Sequence, residues 1–600
     1  MLNLVYKTVN FARDRVSRTG WRSIDLRVRV WAALLTAAAL ILCFVPLYDL
    51  LGYDFAFALG FGAALAGVDI GHGQAARARA ALGRTPAGVD LLRVFGRATT
   101  LAAATLVLPL LLGLGNAARV RNCSLAAGLA FFALLPLGSA LYGAVAGVLP
   151  GLGTPKPRRG RLLAFAIPVL SLLWTLLRLY RNPPVFAFDP FGGYFPGPIY
   201  DEALRPPLSL LLFRVANLVW ATTAIVLAVG LASYGRDPRR WRPALLAAAF
   251  PLVIASSVLY GTGGRLGYHV RRTDLARVLD RSEKTDHFVI RYVSGSKTRT
   301  EVALEAEDLE FRYAQLRETF GVEPKLPITV WDFPDAATKK ALVGAGNTLY
   351  AKPWTREMFV QERFPSKRLR HEMAHVFAGA FGDPFFGVAL AWRWTPVPHP
   401  RLAMGLVEGV AEAADAGDPW GDATIHQEAA AMIAAGLAPP LAEVVGAGFS
   451  TLAGARAYTI AGSFSAFLLE TRGADKLRAL YRSAGNFSDV YRVPLGDLER
   501  EWRHFLAAQP LTTQERAHAT EEFRRGAIFG RVCARELGAR VAEARALMDA
   551  NPERATELLR SACHDDPDEP LYQLALARAE VAAGAEPAAR ATLAHLALDG

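Results

Sequence analysis

The distribution of apolar residues along the chain constrains the fold more than any other feature of the sequence. Long runs of Leu, Ala and Val recur before residue 262, and each is close to the roughly 20 apolar residues that cross a bilayer as a helix. The first 262 residues are therefore predicted to form an α-helical polytopic region in the lipid bilayer. Seven spans are predicted, at residues 30–50, 53–71, 98–115, 123–149, 162–180, 208–233 and 243–262.

Basic residues between these spans predict the orientation. Arg and Lys are concentrated before the first span and in loops 72–97, 150–161 and 235–242. These four segments fall on one side of a seven-span count, and basic loops stay in the cytoplasm. We therefore expect an integral protein of a bacterial inner membrane, with a retained N-terminal anchor, a cytoplasmic N-terminus and an extracytoplasmic domain after residue 262.

The same clustering accounts for much of the net charge of +12, so no nucleic-acid partner is expected. Few ionisable residues lie near mid-depth of the spans, which argues against a coupled transporter. Loop 182–207 is rich in aromatic residues, Gly and Pro, and is interpreted as an ordered connector or as a cap on the later domain. Of the four cysteines, Cys533 and Cys563 are predicted to pair if they lie in an oxidising compartment.

After a linker at 263–285, the pattern changes to that of a soluble α+β domain at 286–512. Alternating apolar residues predict strands at 288–293, 327–331 and 357–361, and an acidic amphipathic helix at 300–319. Residues 513–600 form helices that resemble a tetratricopeptide-type hairpin, the alternative being a plain helical tail. These C-terminal helices are also the candidate surface for a protein partner.

One motif in the predicted α+β domain contains residues that can bind a metal ion and transfer protons. The run His371-Glu372-Met373-Ala374-His375 lies on a predicted helix over 367–378, with Ser366 as its N-cap. Two His residues four apart project from one helix face and can hold one Zn²⁺ ion, while Glu372 can serve as general base and acid. The alternative interpretation is a pair of surface histidines.

A catalytic zinc site needs a third protein ligand and an open position. The metzincin pattern would require Gly at 378 and His at 381, but this chain has Ala378 and Phe381. Further along, the run from Met404 to Glu412 offers carboxylates on a second predicted helix. Glu408 is the candidate third ligand and Glu412 is its rival.

An HExxH motif followed by a helix with the pattern Glu-Gly-x-Ala-Glu resembles the gluzincin peptidases of the peptidase MA-like group. Over residues 286–505 the resemblance implies a zincin-like fold, a Zn²⁺ cofactor held by His371, His375 and Glu408, and a peptide or protein substrate. It also implies that Glu412 supports a ligand imidazole, and that the strand around Phe359 is an edge strand that pairs with substrate. The interval before Glu408 is longer than in thermolysin, so residues 381–401 are expected to loop out.

Tyr458 lies on a segment that resembles the helix after the site in such peptidases, where it would donate a hydrogen bond to the oxyanion. A packed core aromatic is the alternative, and His399 and His426 are weaker candidates for such contacts. The function expected is a membrane-anchored zinc metallopeptidase that uses zinc-activated water. The competing hypotheses are an intramembrane site-2-type protease, and a permease or scaffold that carries a non-catalytic peptidase-like binding domain.

Overall fold

The computed structural model of the chain describes residues 25–598, apart from 123, 155, 198–203, 362–365, 367, 394–397, 416–422, 525, 528–530, 532 and 568. Contacts divide the chain into two compact units. The first unit contains the chain up to Tyr180 with Phe186–Pro196 and Leu204–His269. The second unit contains Arg181–Val185, Gly197–Ala203 and Val270–Gly600.

The first unit is built almost entirely from helices. They are α1 (Leu26–Leu42), α2 (Tyr53–Leu82), α3 (Val89–Ala104), α4 (Val107–Asn116), α5 (Leu125–Phe132), α6 (Gly138–Gly153), α7 (Pro157–Arg181), α8 (Leu208–Tyr234) and α9 (Pro238–Gly261), with a π-helical turn at Ala133–Leu137 between α5 and α6. A short hairpin of β1 (Ala187–Asp189) and β2 (Gly193–Phe195) follows α7. Turns in the middle of apolar runs thus divide some predicted spans into two helices.

Six helical segments of the described chain are long and apolar enough to cross a membrane: Tyr53–Leu82, Val89–Asn116, Leu125–Gly153, Pro157–Arg181, Leu208–Tyr234 and Arg242–Gly261. They correspond to the second to seventh predicted spans. The first predicted span corresponds to α1, which has 17 residues and ends at Leu42. At 1.5 Å per residue, α1 is about 25 Å long, shorter than a hydrocarbon core of roughly 30 Å. The span predicted at 30–50, and with it the total of seven spans, therefore stays a prediction.

Helices α2 and α6 pack with their backbones in close contact, because glycines line the interface. A Cβ atom at Gly147 would lie 2.1 Å from the carbonyl oxygen of Val68, and one at Gly67 would lie 2.2 Å from that of Ala140. Small residues allow this approach, which favours helix association in an apolar solvent where the hydrophobic effect is weak.

The buried charges of the first unit have partners. The carboxylate of Asp69 accepts hydrogen bonds from Arg161 at 2.8 and 3.0 Å, from Arg27 at 3.2 Å and from the indole of Trp31 at 3.1 Å. Arg214 donates to backbone carbonyl groups around the π-helical turn and to Ser139. These groups join helices together, which is a structural use of intramembrane charge.

The second unit begins with a five-stranded sheet. Its elements are α10 (Arg272–Val278), β3 (Arg281–Lys284), β4 (Phe288–Tyr292), α11 (Arg299–Phe320), β5 (Ile328–Asp332), α12 (Ala336–Val343), β6 (Tyr350–Lys352) and β7 (Glu357–Val360). The strand order is β3-β4-β5-β7-β6, with β4, β5 and β7 parallel and the two outer strands antiparallel to their neighbours. The three predicted strands and the helix predicted at 300–319 are confirmed.

The prediction that the strand around Phe359 is an edge strand is wrong. Strand β7 pairs with β5 on one side and with β6 on the other, so its backbone groups are used in the sheet. The edge is β6, a strand of three residues that the sequence pattern did not reveal. Its short length explains the miss, since alternation cannot be recognised over three residues.

Helices dominate the rest of the second unit. They are α13 (Leu369–Ala378), α14 (Met404–Asp415), α15 (Ile425–Ala434), α16 (Leu441–Val444), α17 (Gly454–Arg472), α18 (Ala474–Arg482), α19 (Phe487–Tyr491), α20 (Leu495–Ala507), α21 (Thr513–Phe523), α22 (Ala534–Leu547), α23 (Pro552–Asp565), α24 (Pro570–Ala582) and α25 (Glu586–Leu598). A hairpin of β8 (Leu390–Arg393) and β9 (His399–Leu402) separates α13 from α14. Residues 381–401 thus loop out as expected.

The C-terminal helices α22, α23, α24 and α25 each pack on the next in sequence. An ion pair between Arg540 and Asp565 at 2.7 Å links α22 to α23, and one between Arg560 and Glu580 at 3.0 Å links α23 to α24. Cys563 is a free thiol and Cys533 is disulfide-bonded, so the predicted pair between them is wrong.

The close packing of α2 and α6 predicts that Gly147→Ala destabilises the first unit. The added methyl group would overlap the carbonyl oxygen of Val68, and we expect a loss of about 2 kcal/mol in the free energy of unfolding. Thermal unfolding of the full-length protein in detergent measures the change. The control is Gly96→Ala, since nothing lies within 4 Å of a Cβ atom there. Equal melting temperatures for both variants would contradict the packing argument.

Candidate metal centre

Helix α13 carries the motif residues, and it starts later than predicted. It begins at Leu369 with Arg368 as N-cap, and no side chain caps it. Ser366 is not the cap, and Lys367 lies outside the described residues. The carbonyl oxygen of the buried Ser366 instead accepts a hydrogen bond from Arg312 of α11 at 3.4 Å. Ser366 thus makes a tertiary contact three residues before α13 begins.

Three buried side chains from two helices converge on one point. The Nε2 atoms of His371 and His375 lie 3.2 Å apart, and Glu408 Oε2 lies 3.5 Å from the first and 3.4 Å from the second. Four ligands at about 2.1 Å around a tetrahedral zinc ion are separated from one another by about 3.4 Å. His371, His375 and Glu408 therefore form a group that could hold a metal ion, and their spacing fits three corners of a tetrahedron.

Glu412 contacts the opposite nitrogen of the first histidine. Its Oε1 lies 3.2 Å from Nδ1 of His371, one helical turn after Glu408. If a metal ion bound at Nε2, a hydrogen bond from Nδ1 to Glu412 would keep His371 in the tautomer that presents its Nε2 lone pair to the ion. The structure thus brings Glu408 into the group with both Nε2 atoms, and places Glu412 behind His371.

Burial and hydrogen bonds change the pKa values of two side chains in the group. Desolvation acts against the imidazolium form of His371, but hydrogen bonds to Glu408 and Glu412 outweigh it and hold the pKa of His371 well above its usual value. Desolvation also acts against the Glu408 carboxylate, yet the charges of His375 and His371 hold the pKa of Glu408 far below its usual value. Glu408 is therefore kept in its carboxylate form, which is the form that binds a cation.

Glu372 lies beside the group and is itself buried. Its Oε2 makes no hydrogen bond to any described residue. Desolvation raises the pKa of Glu372, against the opposing charges of His371 and His375. A buried carboxylate without a protein partner for one oxygen is available to bind water or substrate.

Two glycines explain the pattern of helix α14. A Cβ atom at Gly409 would lie 2.5 Å from the carbonyl oxygen of Ala461 in α17, and one at Gly405 would lie 2.0 Å from that of Val444 in α16. Gly405 and Gly409 are one turn apart and let α14 pack tightly against α16 and α17. The glycines of the Glu-Gly pattern therefore have a packing role.

Tyr458 of α17 lies close to the group. Its ring centroid is 6.4 Å from that of His371 and 5.4 Å from that of Phe449, and the side chain is half-buried. The weaker candidates lie elsewhere. His426 is buried against Ser463, with Nδ1 2.9 Å from Oγ, and His399 is exposed on β9.

The sequence did not indicate Lys339, whose charge acts on Glu372. Lys339 is fully buried on α12, and its Nζ donates to the carbonyl oxygen of Thr348 and, at 2.7 Å, to Gln361 Oε1. It therefore ties the segment before β6 to the end of β7. Because Lys339 and Lys340 are adjacent in sequence, only the fold distinguishes the buried one.

Comparison of the chain with protein-family models, curated proteins and solved structures gives no match. The interpretation of the site therefore depends on its geometry and on the motif.

The metal content of the purified full-length protein tests which of the two glutamates, Glu408 or Glu412, is a metal ligand. We expect wild type to carry about one metal ion per chain, and Glu408→Gln to lose it because only two ligands remain. The matched control Glu412→Gln should keep the ion with an affinity about 10–100-fold lower, as expected when a group that orients a ligand is removed. Elemental analysis with chelator competition measures both. Retention in Glu408→Gln with loss in Glu412→Gln would make Glu412 the ligand.

Proposed function

We propose that the protein is a membrane-anchored zinc metallopeptidase that hydrolyses peptide bonds of a peptide or protein substrate. The observation that carries the proposal is the near-equal spacing of the three ligand atoms from His371, His375 and Glu408, beside the buried Glu372. A zinc ion bound there would supply a Lewis acid that acidifies water and polarises a carbonyl group. The resemblance of the motif to gluzincin peptidases points to the same chemistry.

Glu372 is the proposed general base and acid. Its buried carboxylate takes a proton from the attacking water and returns it to the leaving amine. Desolvation supports this role, since it raises the pKa of Glu372 toward the range where a carboxylate both accepts and releases protons. Tyr458 is the proposed donor to the oxyanion of the tetrahedral intermediate, and its position 6.4 Å from the His371 ring supports that assignment.

Substrate is proposed to bind as an added strand on β6. Strand β6 is an outer strand of the sheet, pairs with β7 on one side and packs against α13. Addition of an extended peptide to such a strand gives recognition through the backbone, with little dependence on side chains. This assignment replaces the one made for the strand around Phe359.

We further propose that the second unit lies on the extracytoplasmic side of a bacterial inner membrane, with α1 as a seventh span. The large apolar residues of α1 support this position because many are exposed in the structure: Leu26, Val30, Leu34, Leu40 and Ile41. Basic residues are concentrated in every second loop between the spans, and these loops share one side of the membrane, which supports the orientation. The disulfide-bonded state of Cys533 fits an oxidising compartment.

Glu372→Gln tests the peptidase. The amide cannot accept the proton, so we expect peptide cleavage to fall by about 10²–10⁴-fold. The three ligand residues are unchanged, so the metal content should equal that of wild type. Cleavage of a peptide library by the full-length protein, with elemental analysis of the same samples, gives both readings. Stoichiometric metal without cleavage in wild type would instead support a permease or scaffold with a binding domain.

Tyr458→Phe tests the oxyanion donor. Removal of one hydroxyl that contacts the transition state should lower kcat by about 10²-fold with little change in KM or metal content. Tyr491→Phe is the control, since Tyr491 is a buried tyrosine of the second unit whose hydroxyl makes no hydrogen bond to a described residue. Equal kcat values for both variants would show that Tyr458 is a packing residue.

A further inference from the structure

The segment between α13 and α14 exposes large apolar side chains. The exposed fraction is 59% for Phe385, 37% for Phe386, 60% for Trp392 and 44% for Leu402. Large aromatic side chains normally bury most of their surface, so a group of them on one short segment marks an interaction surface.

The two phenylalanines are held in place by a rigid turn. The carboxylate of Asp383 accepts hydrogen bonds from the backbone N–H groups of Phe385 and Phe386 at 2.9 Å each, and from that of Val388 at 3.1 Å. The two rings lie 5.0 Å apart, and Phe386 packs edge-on against Trp354 at 5.8 Å. The turn therefore presents a fixed aromatic group outward.

The hairpin of β8 and β9, a few residues further along the same segment, also exposes apolar side chains on one face. Leu390 is opposite Leu402, and Trp392 is opposite Pro400, so these four residues share one face. Ala391, which lies between them in β8, belongs to the other face and packs against the core of the unit. Trp, Phe and Leu exposed together are the side chains typical of a surface at a membrane interface.

The strand next to this surface holds the chain that continues from a candidate membrane span. Lys352 of β6 donates from Nζ to the carbonyl oxygens of Asn182 at 2.6 Å and Pro184 at 2.9 Å. Tyr350 donates to the carbonyl oxygen of Pro183 at 3.1 Å. Asn182 directly follows helix α7, and Trp354 packs on Phe386. Strand β6 thus holds the residues that directly follow a candidate membrane span, and Trp354 comes two residues after Lys352 in the chain.

Arg272 makes a second set of contacts with the segment that follows α7. Arg272 donates from Nη1 to the carbonyl oxygen of Arg181 at 2.5 Å, and its other nitrogens donate to Glu357 at 2.7 and 2.8 Å. Glu357 also accepts a hydrogen bond from the indole of Trp331 at 3.2 Å. These contacts are charge-assisted and buried on the Glu357 side, so residues 181–184 belong to the second unit as a fixed strap.

We propose that Trp354, Phe385, Phe386, Trp392 and Leu402 form a surface that lies in the headgroup region of the bilayer to which the protein is anchored. The strap fixes residues 181–184, which directly follow α7 in the chain, to the second unit, and the aromatic side chains then leave water for the bilayer interface. The inference does not depend on the proposed peptidase activity.

Site-directed spin labelling of the full-length protein in proteoliposomes tests this surface. The free thiols are first removed as Cys43→Ser and Cys563→Ser, and labels are attached at Phe385→Cys or Trp392→Cys. The matched control is Phe311→Cys on α11, a site that is 61% exposed and lies outside the proposed surface. Since all three side chains are exposed, the variants are expected to fold, and size-exclusion chromatography verifies this.

We expect the labels at 385 and 392 to collide several-fold more often with oxygen than with a water-soluble nickel chelate, relative to the control. Nickel accessibility equal to that of the control at both sites would overturn the proposal. Labels that are water-accessible in liposomes and become immobile only when a peptide is added would also overturn it, and would assign the surface to a protein ligand. Neither reading requires cleavage, so a failure of the peptidase proposal would be seen separately.

Discussion

The carboxylate of Glu408 is buried between the imidazoles of His371 and His375. A buried charge is stable only when it is paired and hydrogen-bonded, so this contact fixes the relation between α13 and α14. Each helix also contributes to one apolar core, through Met373 and Phe377 on one and through Leu406 and Val410 on the other. The same packing buries His371, His375 and Glu408, and surroundings of low dielectric constant strengthen the electrostatic interactions among them.

The two units differ in where their apolar residues lie. The second unit buries its apolar residues in a core, whereas the first presents many of them outward, as expected where lipid is the solvent. Helices in lipid gain little from the hydrophobic effect, so α2 and α6 associate through glycines and close backbone contact. The partnered charges of Asp69 and Arg214 are consistent with an anchor. Hydrogen bonds to Lys352 hold residues 181–184, which follow α7 in the chain, in the second unit.

Much of the fold could be predicted from local pattern. Alternation over five residues identified β4 and β5, and the capping box of Thr298 and Glu301 begins α11, close to the helix predicted there. The predictions that failed depended on distant contacts. Helix α13 starts at Leu369 and is not capped by Ser366, and the edge position of β6 follows from the pairing order of the strands, which no single strand contains. The pairing of cysteines likewise depends on which sulfur atoms the fold brings together.

The sequence by itself determined which segments are apolar enough to cross a membrane, because hydropathy is a property of composition. It also determined the two histidines of the motif, because a spacing of four residues on a helix places both on one face. Only the tertiary structure shows which atoms the two glutamates contact. Glu408 and Glu412 are one turn apart, and the packing of α14 beside α13 brings the first to the Nε2 atoms of both histidines and the second to Nδ1 of His371. Close packing between elements joins residues that are distant in sequence, so it is not encoded locally.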